Sequence, residues 1–383
     1  CRRVQVQILG GVPKHIIAKM SHSFSVILKT TGAECNLNCD YCFYLQKNEL
    51  YPKGSFRFSI ELLEEYTKQY IESQHTAQIS FDWQGGEPTL LGLGFFEKAV
   101  EYQNKYKKSN QSVVNSFQTN GILLDDDWCL FLKKHNFLVG LSLDGPKAYH
   151  DNHRVDKGKN VTHAKVERAF YLLKKYDIDV NILCCVNKTN VKFPLDTYEY
   201  FKSIGGNYIQ FIPIVNKIKK SFTKDSVSGE EYGNFLKLIF DEWYANDVGK
   251  IFIFIFEHYL SKLVTGSSGL CIFEPNCGVS LALEHNGDLY SCDHFVNEEN
   301  LLGNILEEPL EVLANKREQI NFGLDKANLP EKCNTCAVRF ICNGGCPKNR
   351  DILGLNHLCE GYFNFFSYSK KPFLDLASNL NIM

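Results

Sequence analysis

Thr30-Thr31-Gly32-Ala33-Glu34-Cys35-Asn36-Leu37-Asn38-Cys39-Asp40-Tyr41-Cys42 is the stretch that decides how this chain is read. Three cysteines stand at C-x3-C-x2-C spacing, with Tyr41 just before the third. Three thiolates on one tight loop can hold three irons of a cubane cluster and leave the fourth iron open. An open metal position is where chemistry occurs. The alternative is a zinc knuckle. Zinc ligands come more often as paired C-x2-C hooks with a second pair downstream. No His or Cys closely follows Cys42 to complete a tetrahedral site. The spacing favours the cluster.

Working outward, Ser25–Lys29 predicts a β-strand directly before the loop. Residues 59–73 predict a helix with Ser59 as N-cap, and 78–83 a second strand running into Gln84-Gly85-Gly86-Glu87-Pro88. A helix is expected near 94–107. A third strand, 113–118, is followed by Thr119-Asn120-Gly121. Asp125 caps a helix through His135, and a fourth strand, 137–143, is followed by Asp144-Gly145-Pro146. Helices at 161–176, 194–204 and 229–246 alternate with strands at 179–186 and 208–212. Such alternation implies a parallel sheet, and six strand–helix units make an α/β partial barrel of the TIM type. The unusual residues gather where the strands end, which in a barrel is the face that carries active sites. Gly121 and Pro146, taken singly, read equally well as turn formers.

After residue 250 the pattern breaks into short strands and turns, with Ile251–Phe256 an apolar run of strand length. Eight more cysteines follow: Cys271, Cys277, Cys292, Cys333, Cys336, Cys342, Cys346 and Cys359. Eight ligands fill two closed four-ligand sites; a structural zinc ribbon is the alternative. Residues 281–292 predict a hairpin about Asn286-Gly287 that delivers Cys292 and the adjacent Asp293. A carboxylate beside a cluster ligand suits a general base, since burial can raise its pKa toward the working range. A capping Asp is the plainer reading. The segments are expected as an extension over 1–23, a catalytic barrel over 24–250, a cysteine-rich domain over 251–362 and a helical tail over 363–383. Met20 is the expected natural start.

The chain has 383 residues, is 44% hydrophobic and carries a net charge of -2. No global basic field argues for nucleic acid, and no apolar run approaches a membrane span. Fifteen cysteines in short-spaced clusters fit metal binding in a reducing compartment, with the cytoplasm as the expected location. Cys129, Cys184 and Cys185 are expected as buried structural thiols. His258, His285 and His294 read as surface or hydrogen-bonded residues rather than ligands.

The cysteine loop, Gly-Gly-Glu-Pro and the C-terminal cysteines together resemble a radical S-adenosylmethionine (SAM) enzyme with a SPASM auxiliary-cluster domain. Cys42-Phe43-Tyr44, Trp83–Pro88, Gln118–Gly121, Val139–Pro146 and Tyr290–Asp293 resemble the anaerobic sulfatase-maturating enzymes more closely. The resemblance spans roughly residues 24 to 365. It implies three [4Fe-4S] clusters. Cys35, Cys39 and Cys42 would hold the first, whose open iron takes SAM. Cys271, Cys277, Cys292 and Cys346 would hold the second, and Cys333, Cys336, Cys342 and Cys359 the third. Spacing alone groups 333, 336, 342 and 346 instead. Tyr41, Gly86, Ser142, Arg154 and Val215 would contact the cofactor, although a core role is the simpler reading of Val215. Asp293 would be the base, with Gln84 and Tyr44 lining the substrate site.

The implied reaction oxidises the Cys or Ser of an unfolded sulfatase segment, Cys/Ser-x-Pro-x-Arg, to Cα-formylglycine. A 5′-deoxyadenosyl radical takes the β-hydrogen, and a flavodoxin- or ferredoxin-like protein donates electrons. The competing readings are a thioether-forming maturase of similar build and a zinc-stabilised binding module. The isolated triplet argues against the latter.

Overall fold

The structure is a computed structural model that describes residues 24–51 and 56–380. The expectations for 1–23, including the start at Met20, lie outside the described residues. Ten strands form one sheet. In chain order they are β1 (Ser25–Lys29), β2 (Gln78–Gln84), β3 (Ser112–Thr119), β4 (Leu138–Ser142), β5 (Val180–Val186) and β6 (Tyr208–Pro213). Then come β7 (Phe252–Ile253), β8 (Ser280–Glu284), β9 (Asp288–Tyr290) and β10 (Leu301–Asn304). The sheet order is β10-β9-β8-β1-β2-β3-β4-β5-β6-β7. Pairing is parallel from β8 through β7, and β9 and β10 add an antiparallel edge. The partial barrel of six strand–helix units is thus present and is extended at both edges.

The connecting helices are α1 (Ile60–Ser73), α2 (Leu93–Tyr106), α3 (Asp126–Lys134), α4 (His163–Lys175), α5 (Pro194–Ser203) and α6 (Gly229–Asn246). Their starts follow from capping chemistry. The Ser59 hydroxyl accepts from the Leu62 amide at 3.1 Å, the Asp125 carboxylate from Trp128 at 2.9 Å, and Ser228 forms a capping box with Glu231. Their inner faces meet alternate strand side chains, such as Ile79, Phe81 and Trp83 of β2, that are buried. Aromatic rings fill the layer between: Trp83 lies 5.3 Å from Phe96, and Phe96 lies 5.1 Å from Phe117.

Two features differ from expectation. The apolar run Ile251–Phe256 supplies only β7, and a helix, α7 (Phe254–Thr265), begins at once. An uninterrupted apolar run has no period to distinguish the two states. The cysteine-rich region also does not stand apart, because β8 pairs with β1 over Ser25↔Ser280 to Lys29↔Glu284. The hairpin about Asn286-Gly287 is formed as expected, with Gly287 at φ +93°. Cys359 opens the last helix, α8 (Cys359–Leu380), so that cysteine and the expected tail share one element. α8 packs on α6 through facing glycines: a Cβ on Gly361 would lie 2.1 Å from the Gly229 carbonyl oxygen.

Among the described residues, no helix is long and apolar enough to cross a membrane.

Candidate active site and metal centres

The cysteine loop leaves the C-terminal end of β1 and is locked against the turn after β2. The Glu87 amide donates to the Glu34 carbonyl at 2.9 Å, and the Thr31 hydroxyl donates to the Gly85 carbonyl at 3.1 Å. Gly86 sits at φ +42°, and a Cβ there would lie 1.9 Å from the Glu34 oxygen. Only glycine allows this approach. Glu87 is buried and faces the protein. It accepts from the Thr89 and Thr119 hydroxyls and from the Thr89 and Asn120 amides. Asn120, at the end of β3, donates to Asn36 at 2.7 Å and approaches the Cys35 sulfur at 3.7 Å. Three of the strand-end motifs therefore meet at the triplet.

Every described cysteine is free of disulfide bonding. Burial, with Glu87 behind it, pushes the Cys35 thiol up to about 12, and burial pushes Cys39 up to about 11. Without a cation these sulfurs hold their protons; a bound metal supplies the charge that removes them. The donor set therefore fits a metal centre.

Beside the triplet, Tyr41 and Arg154 form one buried unit with Asp144. Arg154 donates from Nη1 to the Tyr41 hydroxyl at 2.8 Å and lies 3.9 Å from Asp144, and the Tyr41 hydroxyl donates to Asp144. The Cys185 amide donates to the same carboxylate at 3.0 Å. The Nε of Arg154 is buried and has no partner among the described residues. A fixed cation with one open donor beside the triplet suits an anionic cofactor group. Ser142 is buried at the end of β4. Val215 is buried in the main apolar core, as the simpler reading expects.

Burial is what chiefly raises the thiols of Cys277, Cys292, Cys342, Cys346 and Cys359, and neighbouring cysteines add to it. Charge on Cys346 and Cys271 raises Cys292, charge on Cys271 raises Cys346, and charge on Cys271 also raises Cys277. Separately, Cys359, Cys333 and Cys336 raise Cys342, while Cys333 and Cys336 raise Cys359.

Asp293 follows Cys292, its Oδ1 3.5 Å from that sulfur. The donor atoms of Cys292, Asp293 and His294 all lie within 4.8 Å of one another. The expectation that burial raises the Asp293 pKa is reversed. Burial does push it up, but His294, Lys29, the Cys292 thiol and Lys348 outweigh that and hold it near 2. The carboxylate is ionised, and a pKa held this low makes it a weaker base than the sequence leads one to expect.

Lys29 is the residue that sequence reading missed. It ends β1, is 2% exposed, and lies 3.8 Å from Asp293. Its ammonium also donates to Gln84 at 2.6 Å and rests 4.2 Å above the Tyr44 ring. Gln84 in turn donates to Gln118, and Tyr44 to Glu284. One buried lysine thus ties together Gln84, Tyr44 and Asp293. The available signal was a charge closing an apolar strand just before the triplet. Among the expected buried thiols, Cys129 and Cys184 are buried, and Cys185 is half-buried. His258 and His285 are hydrogen-bonded, to the Ser268 carbonyl and to Glu284 respectively.

Comparison with known proteins matches residues 30–203 to the radical SAM superfamily and residues 271–337 to an iron–sulfur cluster-binding domain, SPASM. A serine-type anaerobic sulfatase-maturating enzyme of Bacteroides thetaiotaomicron is 42% identical, over 94% of this chain and 94% of its own length. A cysteine-type enzyme of Clostridium perfringens is 35% identical, over 93% and 99%. Among solved structures, native anSMEcpe with bound AdoMet and Cp18Cys peptide is 35% identical and gives a TM-score of 0.87 over 93% of this chain and 99% of that one. The SuiB structure of Streptococcus suis, 15% identical with a TM-score of 0.61 over 85% of this chain and 74% of its own, shares the fold alone.

Proposed function

The chain belongs to the anaerobic sulfatase-maturating enzymes of the radical SAM superfamily, and we propose that it oxidises a sulfatase Cys or Ser to Cα-formylglycine. It matures sulfatases by radical SAM chemistry. The observation that carries the finer proposal is Asp293, an ionised carboxylate joined through Lys29 to Gln84 and Tyr44 beside the cysteine loop.

Cys35, Cys39 and Cys42 would hold the cluster that binds SAM, with Cys271, Cys277, Cys292 and Cys346, and Cys333, Cys336, Cys342 and Cys359, holding two more. SAM and a reduced cluster bound there would supply hydrogen-atom abstraction from the target β-carbon, and the other two clusters would accept the second electron. The chain's own residues do the rest. Gly86 lets the backbone after β2 close on the triplet loop, which gives cofactor atoms main-chain partners. Arg154, anchored by Asp144 and Tyr41, offers its open Nε to an anionic group. Ser142 and Val215 would line the same side. Asp293 takes the proton of the target thiol or hydroxyl, and Lys29 keeps its carboxylate oriented.

The substrate is an unfolded segment of the form Cys/Ser-x-Pro-x-Arg, and the electron donor a flavodoxin- or ferredoxin-like protein of the cytoplasm. Incubation of the anaerobically reconstituted enzyme with SAM, reductant and such peptides tests the proposal. A hydrazine-reactive aldehyde at the target position is expected. Deoxyadenosine without aldehyde would leave the radical class standing and remove formylglycine from the account.

A further inference from the structure

Three basic side chains act on Asp293, and two are already engaged. Lys29 bonds to Gln84 and pairs with Asp293. His294 meets the Cys346 sulfur at 3.6 Å. Lys348 is different: its ammonium rests 4.4 Å above the Phe43 ring and has no hydrogen-bond or ion-pair partner among the described residues.

Burial pushes its pKa down, against the opposing charges of Cys346, Asp293, Cys185 and Cys292. Cys185 belongs to β5 and shares Asp144 with Tyr41 and Arg154. Phe43 directly follows Cys42, and its ring lies 5.4 Å from His294. Through Phe43, Lys348 therefore lies between the triplet loop and the Cys292–Asp293 segment. A target residue that gives a hydrogen atom at the triplet and a proton at Asp293 must sit in that space.

A half-buried ammonium has three donors, and the Phe43 face satisfies only one side of it. The remaining donors are open to an arriving acceptor. The substrate motif carries no acid of its own. An unfolded peptide does bring unpaired main-chain carbonyls.

We propose that Lys348 is a substrate-binding residue that holds the sulfatase segment by donating to a main-chain carbonyl oxygen beside the target Cys or Ser. This rests on the sulfatase-maturation reading and adds to it a contact from the auxiliary region.

Peptide kinetics on the reconstituted holoenzyme test it. Lys348→Met keeps the apolar stem and removes the donors. The KM for the peptide should rise about tenfold or more, the scale of a lost charged hydrogen bond. Iron content, the KM for SAM and deoxyadenosine formation without peptide should stay as in the wild type. Lys348→Arg should recover most of the affinity. If Lys348→Met folds poorly, Lys348→Gln keeps one amide donor, and its peptide KM should lie between those of the wild type and a full loss. An unchanged peptide KM in the Met or Gln variant overturns the proposal, and so does a rise in the KM for SAM in place of that for the peptide. Either result leaves formylglycine formation by the wild type untouched, so the two readings fail separately.

Discussion

The ammonium of Lys29 lies 3.8 Å from the carboxylate of Asp293, and this pair joins the last residue of the first barrel strand to the residue after Cys292. Both groups are largely withdrawn from water. Removing Lys29 takes away one of several partners of that carboxylate, at a cost below the about 3–5 kcal/mol of a wholly unpaired buried charge. Lys29→Met should therefore lower the denaturant midpoint of unfolding measurably and reduce peptide oxidation. A variant as stable as the wild type would contradict the ion pair.

Gly86→Ala tests the contact between the second strand's turn and the triplet. The added Cβ meets a backbone oxygen, and φ +42° is already unfavourable for a side chain. The loop must move. Iron bound after reconstitution should fall by about a third, the share of one of the three proposed clusters, and deoxyadenosine formation should be lost. Full iron content with normal SAM cleavage would contradict this packing.

Asp293→Asn keeps the shape of the side chain and removes its capacity to accept a proton. All iron should be retained, while peptide oxidation falls by about 10²-fold or more, the usual scale of a lost general base. Unchanged turnover would take Asp293 out of the mechanism.

Tyr41→Phe removes the hydroxyl that stands between Arg154 and Asp144. A buried guanidinium then loses an acceptor, at a cost of about 1–3 kcal/mol. The KM for SAM should rise several-fold with little change in the KM for the peptide. The opposite pattern would mean that Arg154 serves the substrate.

Glu257, on α7, gives a pH signature remote from the cysteines. Burial pushes its carboxyl from an ordinary 4.5 up to about 7. The folded state thus holds a proton that the unfolded state releases. Between pH 4.5 and 7 stability falls as pH rises, and it is level above that window. Glu257→Gln should raise the melting temperature at pH 8 and leave it unchanged at pH 4. Equal shifts at both pH values would contradict the buried carboxyl.

Much of this was legible in the sequence because strand-end chemistry is local. Cys35–Cys42, Gly85-Gly86-Glu87-Pro88, Thr119-Asn120-Gly121 and Asp144-Gly145-Pro146 each follow a strand, and parallel strands bring such ends to one face. What stayed hidden depends on distant partners. Nothing within Ser280–Glu284 announces that it pairs with β1 rather than only with its hairpin partner. Phe252–Phe256 divides between strand and helix without a change in polarity. The low pKa of Asp293 depends first on its neighbour His294, and then on Lys29 and Lys348, both far away in sequence. Lys29 itself looks like an ordinary strand-end charge until its neighbours Gln84, Tyr44 and Asp293 are assembled around it.

The most direct test of the central claim uses a sulfatase peptide deuterated at the β-carbon of its target Cys or Ser, incubated anaerobically with the reconstituted enzyme, SAM and reductant. Mass spectrometry should find formylglycine in the peptide and deuterium in the 5′-deoxyadenosine. Deuterium-free deoxyadenosine together with an unaltered peptide would contradict β-carbon oxidation by this chain.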